Sequence, residues 1–211
     1  MNASSSQPTR GRGRGRPATI SADAIAETGL GLFLKNGFDA TTMTQIALAA
    51  GVGRKTMFTY FPSKADIVWN RFHRQLATLS AALADSAPDV VSTDAVVTAV
   101  LAGLETKPSS LPAMRAEVLL IEANPSLQAY AYLRGAPWRA TISEFLASRE
   151  GLDAHDVLPE VLGYGYWHAM FIGFRRWIGS GDASPEMHVE AALTEYSHAL
   201  TAAFGRQPPS R

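Results

Sequence analysis

Residues 42–62 leave room for little besides two short helices joined by a tight turn. Thr42 and Gln45 stand at capping-box spacing, Ile46, Ala47 and Ala50 share one side of the helix that they open, and Gly51 closes it. After "GVG" a second run of about two turns, from Arg54 to Phe61, is stopped by Pro62. That run carries too little apolar surface for a core helix. Met57 and Phe61, with Val52, Ile46 and Phe33, form its apolar side, while Arg54, Lys55, Thr56 and Thr59 point outward, all able to bond phosphates or base edges. Two such helices match the helix-turn-helix unit, whose second helix fits the width of a DNA major groove while the first crosses the backbone. Gly-linked helix pairs are also common in all-α proteins, so the split between the faces is the informative part.

The rest of the chain is helical in pattern. Ser21 caps a helix with Ile25, Leu30, Leu32, Phe33 and Leu34 on its apolar face, and Gly37 suits a left-handed C-terminal cap. Ser63 and Asp66 repeat the capping-box spacing and open a long helix to about residue 85. Further helices are expected over about 93–105, 111–122, 126–149, 154–178 and 185–204, with Pro137 kinking or splitting the third of these. No stretch alternates with a strand period. The expected fold is all-α with about nine helices.

Charge singles out one end. Net charge is zero over 211 residues, yet residues 1–75 hold ten Lys and Arg against four acids, a balance of +6 that the remainder reverses. A basic N-terminal third on an acidic body suits a polyanion met at that end only. The opening "MNASSSQPTRGRGRGRPAT" has almost nothing to bury and reads as a flexible arm, in which Arg12, Arg14 and Arg16 suit a narrow, electronegative minor groove beside a docked helix. A solubilising tail is the plainer reading of the arm alone; with the helix pair beside it, DNA binding explains more.

Other chemistry finds no footing. There are no cysteines, hence no disulfides, thiol nucleophiles or thiolate metal sites. His73, His155, His168, His188 and His198 show no metal-ligand spacing, Asp153 and Asp156 in "DAHD" fit a helix cap better than a ligand pair, and "GLGLF" and "GYGYW" lie within helical stretches rather than after strands. No catalytic set, metal or cofactor is expected. No apolar run reaches bilayer length and no secretory block opens the chain, so a cytoplasmic protein without membrane contact is expected. An all-α enzyme and a helical protein-interaction module stay as alternatives, although neither explains an Arg-rich arm beside a groove-sized helix.

The stretch "LFLKNGFDATTMTQIALAAGVGRKTMFTYFPSKADI" resembles the TetR/AcrR family of one-component bacterial regulators, in its "GF-x-x-TT" opening, its "IA-x-x-AGV" helix and its "T-x-x-x-YF-x-x-K" recognition helix. The resemblance implies a helix-turn-helix domain over 20–66, after an arm over 1–19, and a ligand-binding and dimerisation domain over 67–205, before a tail over 206–211. It also implies a homodimer on a palindromic DNA operator, most often a repressor, released by a small-molecule effector. Thr42 would contact a phosphate, Arg54, Lys55 and Thr56 would face the groove, and Tyr60 and Lys64 would hold the backbone. Phe58 departs from the family pattern, which often has a tyrosine there. "YFPSKADIVW" and "PSLQAYAYLRGAPWRATISEFLASREG" further resemble the branch associated with the mycofactocin system, which is linked to long-chain acyl-CoA effectors.

In the body, Gly165, Ala169 and Gly173 recur every four residues, a smooth stripe where another helix approaches closely. The family resemblance assigns that stripe to the dimer interface; packing within one chain is the alternative. Tyr130, Arg134, Trp138, Trp167, His168 and Phe171 are candidates for an effector pocket suited to a largely apolar ligand, with Arg134 facing an anionic group, although core packing is the simpler reading of each aromatic.

Overall fold

The computed structural model describes residues 21–204, and these form eleven helices and no strand. Arg12, Arg14 and Arg16 lie outside the described residues, as do the whole of the expected arm and the expected tail. Helix α1 (Ala22–Asn36) starts where the Ser21 hydroxyl accepts from the Ala24 amide and ends at Gly37, whose φ of 90° favours glycine. Its inner face holds Ile25, Leu30 and Phe33, whereas Leu34, expected on that face, is exposed. The Thr42–Gln45 capping box forms in full and opens α2 (Met43–Ala49). Gly51, at φ 67°, makes the turn into α3 (Arg54–Tyr60).

Two of the expected helices are each divided. The helix after Ser63 becomes α4 (Lys64–Val68) and α5 (Asn70–Ala84), with Trp69 between them at φ −92° and ψ 5°. No proline or glycine marks that break. It turns Trp69 completely inward, against Phe72 at 4.6 Å, Phe171 at 6.0 Å and Trp167 at 6.2 Å between ring centroids. The helix expected over 126–149 divides into α8 (Pro125–Arg134) and α9 (Ala136–Glu150). The break falls at Gly135, which leaves Pro137 in the first turn of α9, where a missing N–H costs nothing.

Between these lie α6 (Ser92–Ala102) and α7 (Leu111–Ala123), and the chain closes with α10 (Val157–Ser180) and α11 (Glu186–Phe204). Helix α10 is the spine of the body, packed on both α9 and α11. Trp69, Phe72, Trp138, Trp167, Phe171 and Phe174 form a continuous aromatic core joining α5, α9 and α10. No described helix is long and apolar enough to cross a membrane.

The N-terminal helices are fastened to the body in two places. Arg71 is buried and donates to Glu117 and Glu105, both at 2.8 Å, and Arg74 pairs with Asp23 of α1 and with Glu105. Asp66 of α4 accepts from Tyr130 at 2.7 Å and from Arg134, both on α8. Burial of the latter carboxylate is compensated by these donors, as a buried charge requires.

Candidate nucleic-acid interface and effector cavity

Within helix α3 a single side chain is buried. Met57 is 0% exposed and anchors the helix on Ile46 and Phe33 in the shared core, while Arg54, Lys55, Thr56, Phe58, Thr59 and Tyr60 are all exposed. The cationic and hydroxyl face is therefore open over two turns. Thr59 donates its hydroxyl proton to the Lys55 carbonyl at 3.0 Å, which leaves the oxygen as an acceptor. The Arg54 guanidinium stands over the Phe58 ring at 5.8 Å, and Phe58 is 42% exposed, so this side chain is open to solvent.

Two expected phosphate contacts have internal partners here. Both the backbone amide and the hydroxyl of Thr42 are engaged with Gln45 in the capping box. Lys64 donates to the carbonyls of Phe38 at 2.7 Å and Asp39 at 3.2 Å, and its ammonium lies 4.6 Å from the Phe38 ring centre. Lys64 thus ties the α1–α2 loop to α4, and one of its three N–H groups is left for a phosphate.

The six expected pocket residues divide. Trp167, His168 and Phe171 line one cavity of about 360 Å³, together with Ile121, Tyr132, Arg139, Tyr164 and Ile172. Trp138 and Arg134 line a smaller one of about 180 Å³ beside His73, with Trp167 as the shared wall. Tyr130 lines neither; its hydroxyl is held by Asp66 and by Arg134. Arg134, expected to face an anionic ligand, is paired with Asp66. Burial and the neighbouring Arg134 cation push the His73 pKa down.

The stripe of small residues has an occupant inside the protomer. A methyl on Gly173 would stand 2.5 Å from the Val189 Cα and 2.8 Å from the His188 carbonyl, and one on Gly165 would run into the Tyr196 hydroxyl. Ala169 is buried in the same seam. Gly165, Ala169 and Gly173 therefore admit the α10–α11 packing of one chain, and Gly165 and Ala169 also line the open groove beside Tyr196 and Ala199. Nearby, Tyr166 and Ser197 share a buried hydrogen bond of 2.9 Å, and burial pushes the Tyr166 phenol up to about 12.

Two features escaped sequence reasoning. Asp66 was visible only as a cap, which it is: the Ser63 hydroxyl accepts from its amide at 3.3 Å and donates to its carboxylate at 2.7 Å. Its second carboxylate oxygen makes the link to α8. Arg139 gave no signal at all; it is buried and lines the larger cavity. Asp153 and Asp156 close a turn before α10, where the Asp153 amide donates to the Asp156 carboxylate at 3.1 Å.

Residues 25–68 match the family described as bacterial regulatory proteins, tetR family, and residues 91–205 match the MftR C-terminal domain. A relative from Mycobacterium tuberculosis, named MftR for mycofactocin biosynthesis transcriptional regulator, is 30% identical over 190 residues, covering 90% of each chain. Among solved structures, Thermus thermophilus FadR, a TetR family transcriptional repressor in complex with lauroyl-CoA, superposes with a TM-score of 0.57 at 23% identity, over 90% of this chain and 99% of that one. Salmonella enterica GusR gives a TM-score of 0.56 at 19% identity, over 87% and 95% of the two chains. At these identities the two structures speak for the fold.

Proposed function

We propose a function from one premise: the chain belongs to the tetR family of bacterial regulatory proteins and carries an MftR-type C-terminal domain. It is a cytoplasmic, homodimeric repressor that binds a palindromic DNA operator and leaves it when a small molecule with a largely apolar body, of the long-chain acyl-CoA class, enters the cavity between α7, α8, α9 and α10. The observation that carries the DNA half of this reading is the α3 face, with two cations and two threonines exposed above the buried Met57. A helix so presented fits a major groove, and Arg12, Arg14 and Arg16 are assigned to the adjoining minor groove.

Two recognition helices must stand about 34 Å apart to meet successive half-sites, which a two-fold dimer supplies. The outer face of the α10–α11 pair, where Ile172 and Ala199 are exposed beside Tyr196, is assigned to the partner. The ligand acts by population shift: it favours an arrangement in which α4, tied to α8 through Asp66, no longer holds α3 at the half-site spacing. Nothing in the reading asks for catalysis or a cofactor.

A gel-shift titration against the chain's upstream DNA tests it. Affinity should fall by orders of magnitude between 50 and 200 mM salt, as counterion release by several phosphate contacts requires. Lys55→Ala and Thr56→Ala should change base preference, and Lys64→Ala should weaken all sequences alike. Salt-independent binding, or none, would sink the DNA reading.

A further inference from the structure

We infer that Arg139 is the anion anchor of the effector cavity, which assigns the ligand a carboxylate or phosphate group attached to an apolar body. The inference rests on the effector reading above and deepens it.

A guanidinium out of water needs oxygens around it, and the other arginines tied into this body have them. Arg71 holds two carboxylates, Arg134 holds Asp66, and Arg149 donates to the carbonyls of Ser86, Ala87 and Pro88. Arg139 is only 5% exposed, and among the described residues no carboxylate pairs with it; its single hydrogen bond runs from Nη2 to the Tyr132 carbonyl at 2.8 Å. Ring faces surround the rest of the cation, Tyr164 at 4.4 Å, Tyr132 at 5.0 Å and Trp167 at 5.9 Å. Aromatic faces offset part of the lost hydration, and most of the five N–H donors have no acceptor among the described residues while keeping some contact with solvent.

Those donors adjoin open space. Arg139 lines the cavity of about 360 Å³ and, on its other side, a chamber of about 230 Å³. Glu144 and Glu160 line the chamber and would repel an anion there. In the larger cavity the acid is Glu122, which faces Arg175 at 4.0 Å, and Ile121, Trp167 and Phe171 supply an apolar wall. A ligand with its chain on that wall and its oxyanion on Arg139 completes the guanidinium's bonding. Arg134 cannot serve equally, because Asp66 and Tyr130 already occupy it.

The position also reaches the α8–α9 break. A methyl on Gly135 would meet the Arg139 Nη1 at 2.8 Å and Trp167 at 2.6 Å, so this glycine makes room for the cation. Arg139 in turn holds the end of α8 through the Tyr132 carbonyl, and α8 carries the Tyr130 and Arg134 contacts to Asp66. An anion that draws Arg139 away loosens the helix that grips α4.

Calorimetric titration of the full chain with decanoate, decyl phosphate and neutral decanol tests this. For the wild type at least one anion should bind about tenfold or more tighter than decanol, the scale of one hydrogen bond to a charged group. Which anion is preferred separates a carboxylate ligand from a phosphate-bearing one. R139Q should erase the preference and leave decanol binding in place, whereas R134Q should keep it. No preference in the wild type, a preference that survives R139Q, or one lost in R134Q overturns the proposal. Should R139Q fail to fold, R139K keeps the charge without the planar fork, and its preference should fall several-fold; an unchanged preference counts against the anchor. Gel shifts run alongside separate the two claims. Anions that bind through Arg139 without releasing the operator uphold the anchor and refute the effector reading, and release by a ligand indifferent to R139Q does the reverse.

Discussion

The Tyr130 hydroxyl donates to the Asp66 carboxylate at 2.7 Å and so joins α8 of the ligand-binding body to α4, the helix that follows the DNA-facing unit. Arg134, one turn further along α8, grips the same oxygen and also donates to Tyr130. Any message from the cavity to the recognition helix can pass through this joint, because a displacement of α8 must either carry Asp66 with it or leave a buried carboxylate without donors.

Acid titration reads the strength of that joint. Burial alone would raise the Asp66 pKa, but the bonds from Tyr130 and Ser63, with the Arg134 cation, outweigh it and hold the carboxyl below its usual 3.8. A depressed carboxyl stabilises the fold above 3.8, and the contribution disappears as pH falls through the lower folded-state value. Y130F should therefore cost about 1 kcal/mol at pH 7, with the deficit shrinking toward zero at the acid end. Melting curves of both proteins between pH 3 and pH 7 check this, and a deficit independent of pH would place the effect in packing alone.

Glu117 should act in the opposite sense. Burial drives its pKa from 4.5 up to about 7 against the pull of Arg71, which shares itself with Glu105. The folded chain then holds the proton more tightly than the unfolded one, so this group's contribution is most favourable below 4.5 and declines as pH climbs to about 7. E117Q keeps an oxygen for the Arg71 Nε–H and removes the titration. Between pH 5 and pH 8 the melting temperature of the variant should fall less than that of the wild type, by about 2–4 °C for each kcal/mol involved. Parallel curves would mean that Arg71 keeps Glu117 ionised throughout.

Local signals in the sequence carried the N-terminal unit nearly whole. The capping pairs at Thr42 and Ser63, the turn at Gly51 and the stop at Pro62 each act within four residues, so their reading needs no tertiary knowledge. The divided helices were legible only in part. Pro137 announced a break near α9, but Trp69 turns inward because of partners a hundred residues away, for which no local residue speaks. The same distance hid the anion site. Arg134 and Arg139 lie five residues apart in similar surroundings, and what separates them is Asp66, 68 residues upstream of Arg134. Spacing likewise gave the Gly165, Ala169 and Gly173 stripe but not its occupant, since the α11 backbone and a partner helix make the same demand for small residues.

That occupant makes the two glycines unequal. A methyl at Gly173 meets backbone atoms of Val189 and His188, which move only if α10 and α11 separate. At Gly165 it meets the end of the Tyr196 side chain, half-buried and edge-on to Tyr166 at 5.0 Å, which can swing aside. G173A should cost about 2–3 kcal/mol and G165A about 1 kcal/mol or less. Urea denaturation monitored by tryptophan fluorescence checks the order, and equal losses would show that the α10–α11 pair relaxes as a unit.

Phe58 offers a gain of function. Its ring is 42% exposed on α3, beside the Arg54 guanidinium and on the helix assigned to the groove. A para hydroxyl at that position projects from an open ring edge and adds one phosphate donor while retaining the cation–π contact with Arg54. F58Y should raise DNA affinity by about three- to tenfold, the scale of one hydrogen bond to a charged acceptor. A phosphate contact carries no sequence information, so operator and unrelated duplex should gain alike, with no change in base preference. The slope of log affinity against log salt should also stay unchanged, because a neutral donor releases no counterion. Fluorescence anisotropy with both duplexes at two or more salt concentrations measures all three quantities. Unchanged affinity would remove position 58 from the DNA backbone, and a gain confined to the operator would move it to a base edge.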